Sequence, residues 1–153
     1  MYQTILVPLD GSKLAECVLP HVETLVRGSQ AKRVVFTRVV EPVYLPPGDY
    51  IMPEDQIRKM EAEMREDAQN YLKDIVSRTK YDGARVESAI LYGRAADTLA
   101  DFAPKNQIDI IIIATHGRSG VSRWVWGSVA DRILRSSCVP VLMIRAPGCV
   151  PGI

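Results

Sequence analysis

Several features that would assign this chain to a special class of protein are scarce or missing in its 153 residues. The three cysteines, Cys17, Cys138 and Cys149, are odd in number and show no C-x-x-C spacing, so they indicate neither a disulfide framework nor a zinc site. No apolar run approaches the roughly 18 residues of a membrane-spanning helix, and no leader precedes the strand-like residues that begin at Thr4. We therefore expect an unprocessed cytoplasmic protein with no membrane partner.

An excess of charge of one sign is also missing. Nineteen basic and eighteen acidic residues give a formal net charge of +1, which offers no electrostatic argument for nucleic acid as a partner. The length suits one domain, which we assign to residues 1–146. Residues 147–153, rich in proline and glycine, have the composition of a loose C-terminal tail.

The common catalytic signatures are absent as well. The chain has no Gly-x-x-x-x-Gly-Lys-Ser/Thr loop, no Gly-x-Ser-x-Gly elbow and no cluster of His or Cys for metal-assisted hydrolysis. A single histidine in a turn, His116, is more often structural than catalytic. We therefore assign no catalytic residue and no metal ligand from these patterns.

What the chain does have is an apolar strand that leads into a glycine-bounded loop and then into a helix. The run 110–113 is four isoleucines, apolar on both faces as in a central parallel strand. Gly117, Gly120 and Gly127 follow, and Ser128 suits the N-cap of the next helix, whose free N–H groups would point at an anion. The alternative is an ordinary turn followed by an ordinary cap.

Alternation of apolar runs with helical periodicity predicts a single α/β domain. The predicted strands cover residues 5–9, 33–40, 85–91, 108–113 and 139–144. The predicted helices run from Lys13 to Gly28 with a kink or a local break at Pro20, from Glu54 to about Thr79, from Ala95 to a stop before Pro104, and from Ser128 to about Ser136. We interpret Met60 and Met64 of the second helix as core residues. Residues 41–53, with four prolines, form the one long irregular connection.

Strands that alternate with helices require an open parallel five-stranded sheet with helices on both faces. The first and fourth strands are the most apolar, so we place them side by side at the centre, which gives the order 3-2-1-4-5. Ligands of such sheets bind in the crevice where the strand order reverses. Asp10, directly after the first strand, and the loop 114–128 would meet there.

The spacing of the loop resembles that of the universal stress protein family. In that family Gly-x-x-Gly, nine residues and Gly-Ser or Gly-Thr form the nucleotide phosphate loop; here Ala114-Thr115-His116-Gly117 is followed by nine residues and Gly127-Ser128, so alanine replaces the first glycine. The resemblance extends over nearly the whole chain, from residues 5–12 to residues 139–144. It implies a Rossmann-like fold with the strand order 3-2-1-4-5, and ATP as the ligand.

The resemblance also implies which residues hold the nucleotide. Asp10 and the backbone beside it would bind the nucleotide together with Mg²⁺, although the residues alone favour a capping role for Asp10. Val39 and Ile113 would flank adenine, or else are simply core. Arg118 is either a phosphate ligand or a solvated side chain. The full predicted set is Pro8, Leu9, Asp10, Val39, Ile113, Ala114, His116, Gly117, Arg118, Gly120, Gly127, Ser128 and Val129.

Three functions remain open at this point. The first is an ATP-binding stress-response or signalling module, the second a slow ATP hydrolase with the same pocket, and the third a dimeric scaffold without nucleotide. The last strand, residues 139–144, is an apolar sheet edge that predicts an antiparallel homodimer, unless the tail covers that edge.

Overall fold

The computed structural model describes residues 1–43, 52–115 and 128–145. The strands are β1 (Thr4–Pro8), β2 (Arg33–Val40), β3 (Arg85–Tyr92), β4 (Ile110–Ala114) and β5 (Val141–Ile144). The helices are α1 (Leu19–Ser29), α2 (Glu54–Arg78), α3 (Ala95–Lys105) and α4 (Ser128–Ser136), and one turn of 3-10 helix, Ala15–Val18, precedes α1. No helix within these residues is both long and apolar enough to cross a membrane.

The five strands form one parallel sheet in the order β3-β2-β1-β4-β5, which confirms the predicted fold class and strand order. Every residue of β1 and of β4 is buried, as their apolar sequences predict for strands covered on both faces. β3, whose sequence mixes polar and apolar residues, is at one edge and is only partly buried. β5 forms the other edge and pairs with β4.

The two faces of the sheet support two separate hydrophobic cores. Side chains alternate between the faces along each strand, so neighbours in sequence pack against different helices. On one face, Ile5, Val7 and Phe36 pack with residues of α1 and α2, such as Val22 and Leu72. The members of the second core that lie on α3 and α4 are Ala96, Leu99, Ala103, Ala130 and Ile133, and they pack on Leu6, Val35, Ile111 and Ile113.

The register of the sheet opens a crevice between β1 and β4. These two strands pair at Ile5 with Ile110 and at Leu6 with Ile111, close to their amino ends. Farther along, β1 continues beside β2 as far as Pro8 and Thr37, while β4 continues beside β5 to its last residue. At the carboxyl end each central strand therefore pairs only with its outer neighbour, and this is where an open sheet of this strand order has its crevice.

The amino ends of the same strands are tied together. The Asp109 carboxylate accepts hydrogen bonds from the N–H groups of Gln3 and Thr4, at 2.7 and 2.8 Å, and the Asp109 N–H donates to the Thr4 carbonyl. The Gln3 carbonyl accepts from the N–H of Lys32 and of Arg33. Contacts between residues at or just before the starts of β1, β2 and β4 therefore close this end of the sheet.

The start of the first helix differs from the prediction. No α-helix begins at Lys13; a 3-10 turn comes first and α1 begins at Leu19, so Pro20 occupies the first turn, where its missing N–H leaves no bond unmade. The continuous helix predicted from Lys13 is therefore wrong, but the helical pattern does change just before Pro20, as the predicted local break requires. The helix also continues past Gly28 to Ser29, and Gln30 takes the left-handed position that ends it, with φ 54°.

Three further boundaries were predicted wrongly by two residues. β5 begins at Val141 rather than Val139. α3 runs through Pro104 to Lys105, because a proline in the last turn removes only one N–H and the carbonyls of Phe102 and Ala103 still accept from residues beyond it. β4 begins at Ile110 rather than Ile108, since Ile108 and Asp109 bond to Ala103 and Thr4 instead.

The methionines of α2 are exposed, contrary to the core interpretation. Met60 and Met64 are 40% and 37% exposed, whereas the buried positions of this helix are Ala68, Leu72 and Ile75. Periodicity alone could not show that only the second half of a 25-residue helix packs on the sheet.

Candidate functional site

The turn after β1 is built around the carboxylate of Asp10. Its Oδ1 accepts hydrogen bonds from the N–H of Ser12 at 2.9 Å and from the Ser12 hydroxyl at 2.6 Å. The Ser12 Oγ in turn accepts from the N–H of Ala15 at 3.1 Å, at the start of the 3-10 turn. Ser12 thus bonds both to the Asp10 carboxylate and to the start of the 3-10 turn. These bonds hold the carboxylate in place at the mouth of the crevice.

Gly11 is required in this turn for two reasons. Its φ of +86° lies in the left-handed region that a side chain disfavours. A Cβ at this position would also lie 3.0 Å from Cζ of Arg38, the guanidinium carbon. Arg38 is the third residue from the end of β2, and its guanidinium lies 5.5 Å from the centre of the Tyr71 ring on α2. The Arg38 side chain therefore connects the turn to α2.

A partly buried carboxylate, that of Glu16, joins the same helix to the 3-10 turn. Glu16 accepts from Nη2 of Arg78 at 2.6 Å and from the Tyr71 hydroxyl at 3.4 Å, and it pairs with the Lys13 ammonium at 3.4 Å. Burial, and then the negative charge of Glu16, raise the pKa of Tyr71 well above its ordinary value. Tyr71 is therefore a neutral hydroxyl donor, and the carboxyl-terminal half of α2 is fixed beside the Asp10 turn.

The predicted apolar walls lie on a single face of the sheet. Val39 and Ile113 both pack in the core under α3 and α4, on strands that flank the end of β1. Pro8 lies between Val7 and Leu9, which face the other core, so strand alternation places it on the same face as the two walls. Val129, in the first turn of α4, packs against this core as well. Three strands thus offer an apolar surface beside the crevice.

Other residues of the predicted set are placed elsewhere or are not described. Leu9 and Ala114 face the core under α1 and α2, so they could reach a ligand through their backbone rather than their side chains. Ser128 begins α4, the helix start that the sequence predicts. His116, Gly117, Arg118, Gly120 and Gly127 lie outside the described residues. In the parts of the chain that are described, no group of three or more His, Cys, Asp or Glu could hold a metal ion.

Sequence reasoning missed Thr37, Arg38 and Tyr71. Arg38 and Tyr71 lie far apart in sequence, and only the packing of α2 across β2 brings them together at the Asp10 turn. The sequence did contain a sign of Thr37. Thr37 and Arg38 are the two polar residues in the otherwise apolar run from Val34 to Val40. Its meaning depended on the sheet neighbours, which the sequence does not show.

The doubly wound parallel sheet places the chain in the open α/β class, in which ligands bind outside the carboxyl ends of the strands where the strand order reverses. Within that class, the profile of the universal stress protein family matches residues 1–145. The chain belongs to the universal stress protein family, which confirms the resemblance found in its sequence.

One relative is similar to this chain both in sequence and in its solved structure. Universal stress protein MJ0577 of Methanocaldococcus jannaschii is 25% identical over 156 residues, which cover 95% of this chain and 96% of the relative. Its solved structure superposes with a TM-score of 0.81 and covers 97% of this chain and 99% of that one.

Two more distant structures share the fold and contain nucleotide. A universal stress protein in complex with cAMP is 23% identical with a TM-score of 0.67, and covers 95% of this chain and 98% of that one. An Arabidopsis thaliana family protein with AMP bound is 16% identical with a TM-score of 0.66, and covers 95% of this chain and 93% of that one.

Proposed function

We propose that this protein binds an adenine nucleotide, ATP, in the crevice between β1 and β4 and acts as a cytoplasmic stress-response or signalling module. The observation that carries the proposal is the parting of the two central strands beyond Leu6 and Ile111, with apolar residues on one side and the Asp10 turn at the mouth. Open α/β sheets bind their ligands at this point. The presence of AMP and cAMP in proteins of the same fold supports a nucleotide as the ligand.

Each part of ATP has a plausible set of contacts. The base would lie against Val39 and Ile113, since adenine needs apolar walls. The ribose would lie by Asp10 and the backbone of Pro8 and Leu9. The phosphates would meet the loop 114–127 and the N–H groups of 127–129, because the free N–H groups at a helix start favour an anion. Mg²⁺ would accompany the phosphates as a hard cation with oxygen ligands.

We propose binding rather than turnover as the primary role. Phosphoryl transfer needs a water held in line with the γ-phosphate and several groups that stabilise charge. Asp10 is the one titratable member of the predicted set within the described residues, and its Oδ1 already accepts two hydrogen bonds from Ser12. A hydrolysis rate near the roughly 1 to 100 per second of kinases would contradict this assignment.

Titration calorimetry with ATP, in the presence and absence of Mg²⁺, tests the proposal. Gly127→Val should abolish binding, because a branched side chain would occupy the space of the phosphates. Cys149→Ala, in the C-terminal tail, is the matched control and should bind as the wild type does. Equal ATP affinity in the wild type and Gly127→Val would reject the phosphate assignment, and no adenine nucleotide affinity in the wild type would favour the nucleotide-free scaffold.

We further propose that two copies associate through the free edge of β5. This strand pairs with β4 on one side, and the Leu142 side chain on it is 38% exposed. Antiparallel pairing of two edges satisfies their N–H and C=O groups and forms a closed two-fold contact. Light scattering after size exclusion should give twice the chain mass of 17.0 kDa. A species at the chain mass would show that the edge does not pair between copies.

A further inference from the structure

Thr37 is a polar side chain that is buried without a partner. The residue is 0% exposed, and its hydroxyl oxygen has no hydrogen-bond partner within the described residues. Buried hydroxyls are normally hydrogen-bonded. Burial of an unpaired hydroxyl costs free energy, because its lost hydration is not compensated by a protein hydrogen bond. An unpaired hydroxyl next to a candidate ligand site is therefore a reason to ask which ligand atom it meets.

The strand pattern places this hydroxyl on the same side of the sheet as the apolar walls. Val35 and Val39 belong to the core under α3 and α4, whereas Val34 and Phe36 belong to the other core. Side chains alternate along β2, so Thr37 is on the face of Val35 and Val39. Its neighbour toward the mouth of the crevice on that face is Val39.

The register gives the depth of Thr37 in the crevice. It pairs with Pro8, the last residue of β1, and with Ala89 of β3 on its other side. Thr37 is therefore level with the point where β1 ends, beyond the two pairs that join β1 to β4. Both of its sheet neighbours, Pro8 and Ala89, have short side chains.

The backbone donors at the end of β1 are already occupied or absent. Pro8 has no N–H, and the N–H of Leu9 donates to the Thr37 carbonyl at 2.8 Å. A flat polar molecule that enters between Val39 and Ile113 would thus find the Thr37 hydroxyl as a side-chain partner at the floor of the site. A hydroxyl accepts one hydrogen bond from an amino group and donates another to a ring nitrogen.

We propose that Thr37 determines specificity for the base: its hydroxyl hydrogen-bonds the aminopurine edge of the nucleotide, accepting from the 6-amino group and donating to a neighbouring ring nitrogen. The inference rests on the proposed nucleotide function and deepens it. Binding of the base supplies the partner that the hydroxyl lacks in the free protein. The ligand class is accordingly a 6-aminopurine nucleotide.

The test compares Thr37→Val, which keeps the shape and removes the hydroxyl, with the wild type. Calorimetry should show ATP affinity about three- to tenfold lower in the variant, the range expected for one neutral hydrogen bond. Purine riboside triphosphate, which lacks the 6-amino group, should bind the wild type more weakly than ATP. The difference in affinity between the two ligands should be smaller in Thr37→Val, because the hydroxyl that hydrogen-bonds the 6-amino group is gone.

A second readout needs no ligand. Replacing an unpaired buried hydroxyl by a methyl group should leave the unfolding midpoint of the free protein in urea unchanged or higher. Thr4→Val, at a similarly buried threonine of β1 at the closed end of the sheet, is the matched control and should leave ATP affinity unchanged.

Three results would overturn the inference. Equal discrimination between ATP and purine riboside triphosphate in the wild type and Thr37→Val would remove the hydroxyl from base recognition while leaving the nucleotide function intact. A lower unfolding midpoint of free Thr37→Val would show that the hydroxyl is bonded in the free protein. A wild type that binds no adenine nucleotide would reject the proposed function, and this inference with it.

Discussion

The two ends of the sheet contrast in how their strands are held. At the amino end the Asp109 carboxylate bonds to the segment before β1, and the carbonyls of Gln3 and Lys32 bond to β2 and β3 in turn. At the carboxyl end β1 and β4 separate. The turn of Asp10 follows β1 there, and the Arg38 guanidinium lies beside Gly11 of that turn. The two central strands are therefore joined at one end and separate at the other, where we propose that the ligand binds.

This contrast separates stability from binding. Contacts at the closed end join strands that are adjacent in the sheet, so a change there should lower the free energy of unfolding. The Asp10 turn at the open end is supported from the side by α2, through Arg38, Tyr71 and Glu16. A change in that support should disturb the ligand site as well as stability.

The largest effect on stability should come from Asp109→Ala at the closed end. The substitution leaves the N–H groups of Gln3 and Thr4 without their acceptor, and we expect a loss of about 2–3 kcal/mol in the free energy of unfolding measured with urea. Asp101→Ala, at an exposed position of α3, should stay within about 0.5 kcal/mol. A large fall in ATP affinity of folded Asp109→Ala would contradict the separation of the two ends.

Gly11→Ala should affect both stability and binding. The positive φ costs about 1–2 kcal/mol once a Cβ is present, and the Cβ would push the Arg38 guanidinium aside. Gly83→Ala is the matched control, because its φ is +77° but no atom lies within 4 Å of the added Cβ. We expect similar losses of stability in urea and a fall in ATP affinity by calorimetry for Gly11→Ala alone. Equal affinities in the two variants would mean that the turn does not contribute to the site.

Glu16→Gln should have a smaller effect, about 1 kcal/mol, because it weakens the contacts to Arg78 and Tyr71 without removing the side chain. The loss should decrease as salt is raised, since an ion pair is screened. Glu54→Gln removes the exposed pair with Arg58 and should cost less than about 0.5 kcal/mol. Urea unfolding at two salt concentrations measures both variants, and equal losses would show that burial of Glu16 adds nothing.

Much of the sheet could be predicted from the sequence, because long apolar runs indicate buried strands. The contacts of the closed end were not predicted, since they join residues far apart in sequence. The Ile-rich run of β4 and the apolar run of β1 predicted their central positions correctly. The 3-10 turn before α1 was not predictable, since the hydrogen bonds of Asp10 and Ser12 compete with a helix that the apolar spacing alone favours. The continuation of α3 through Pro104 was also missed. The rule that a helix stops before proline does not hold in the last turn, where proline removes only one N–H.

The candidate site was predictable only in part. Asp10, Val39 and Ile113 were named from motif positions, and the structure places the last two on one face of the sheet. Their roles remain predictions. Thr37 and Arg38 were not named, because what makes them notable is an absent hydrogen bond and a contact with Gly11, both of which depend on the register of β1 with β2.

The central claim is that ligand binding is confined to the open end of the sheet. Titration of the ¹⁵N-labelled protein with ATP, followed by backbone amide shifts, tests it most directly. The account predicts the largest shifts at Leu9, Asp10, Val39 and Val129, with little change at Thr4, Lys32 and Asp109. Shifts centred on the residues of the closed end, or no saturable shifts at all, would contradict it.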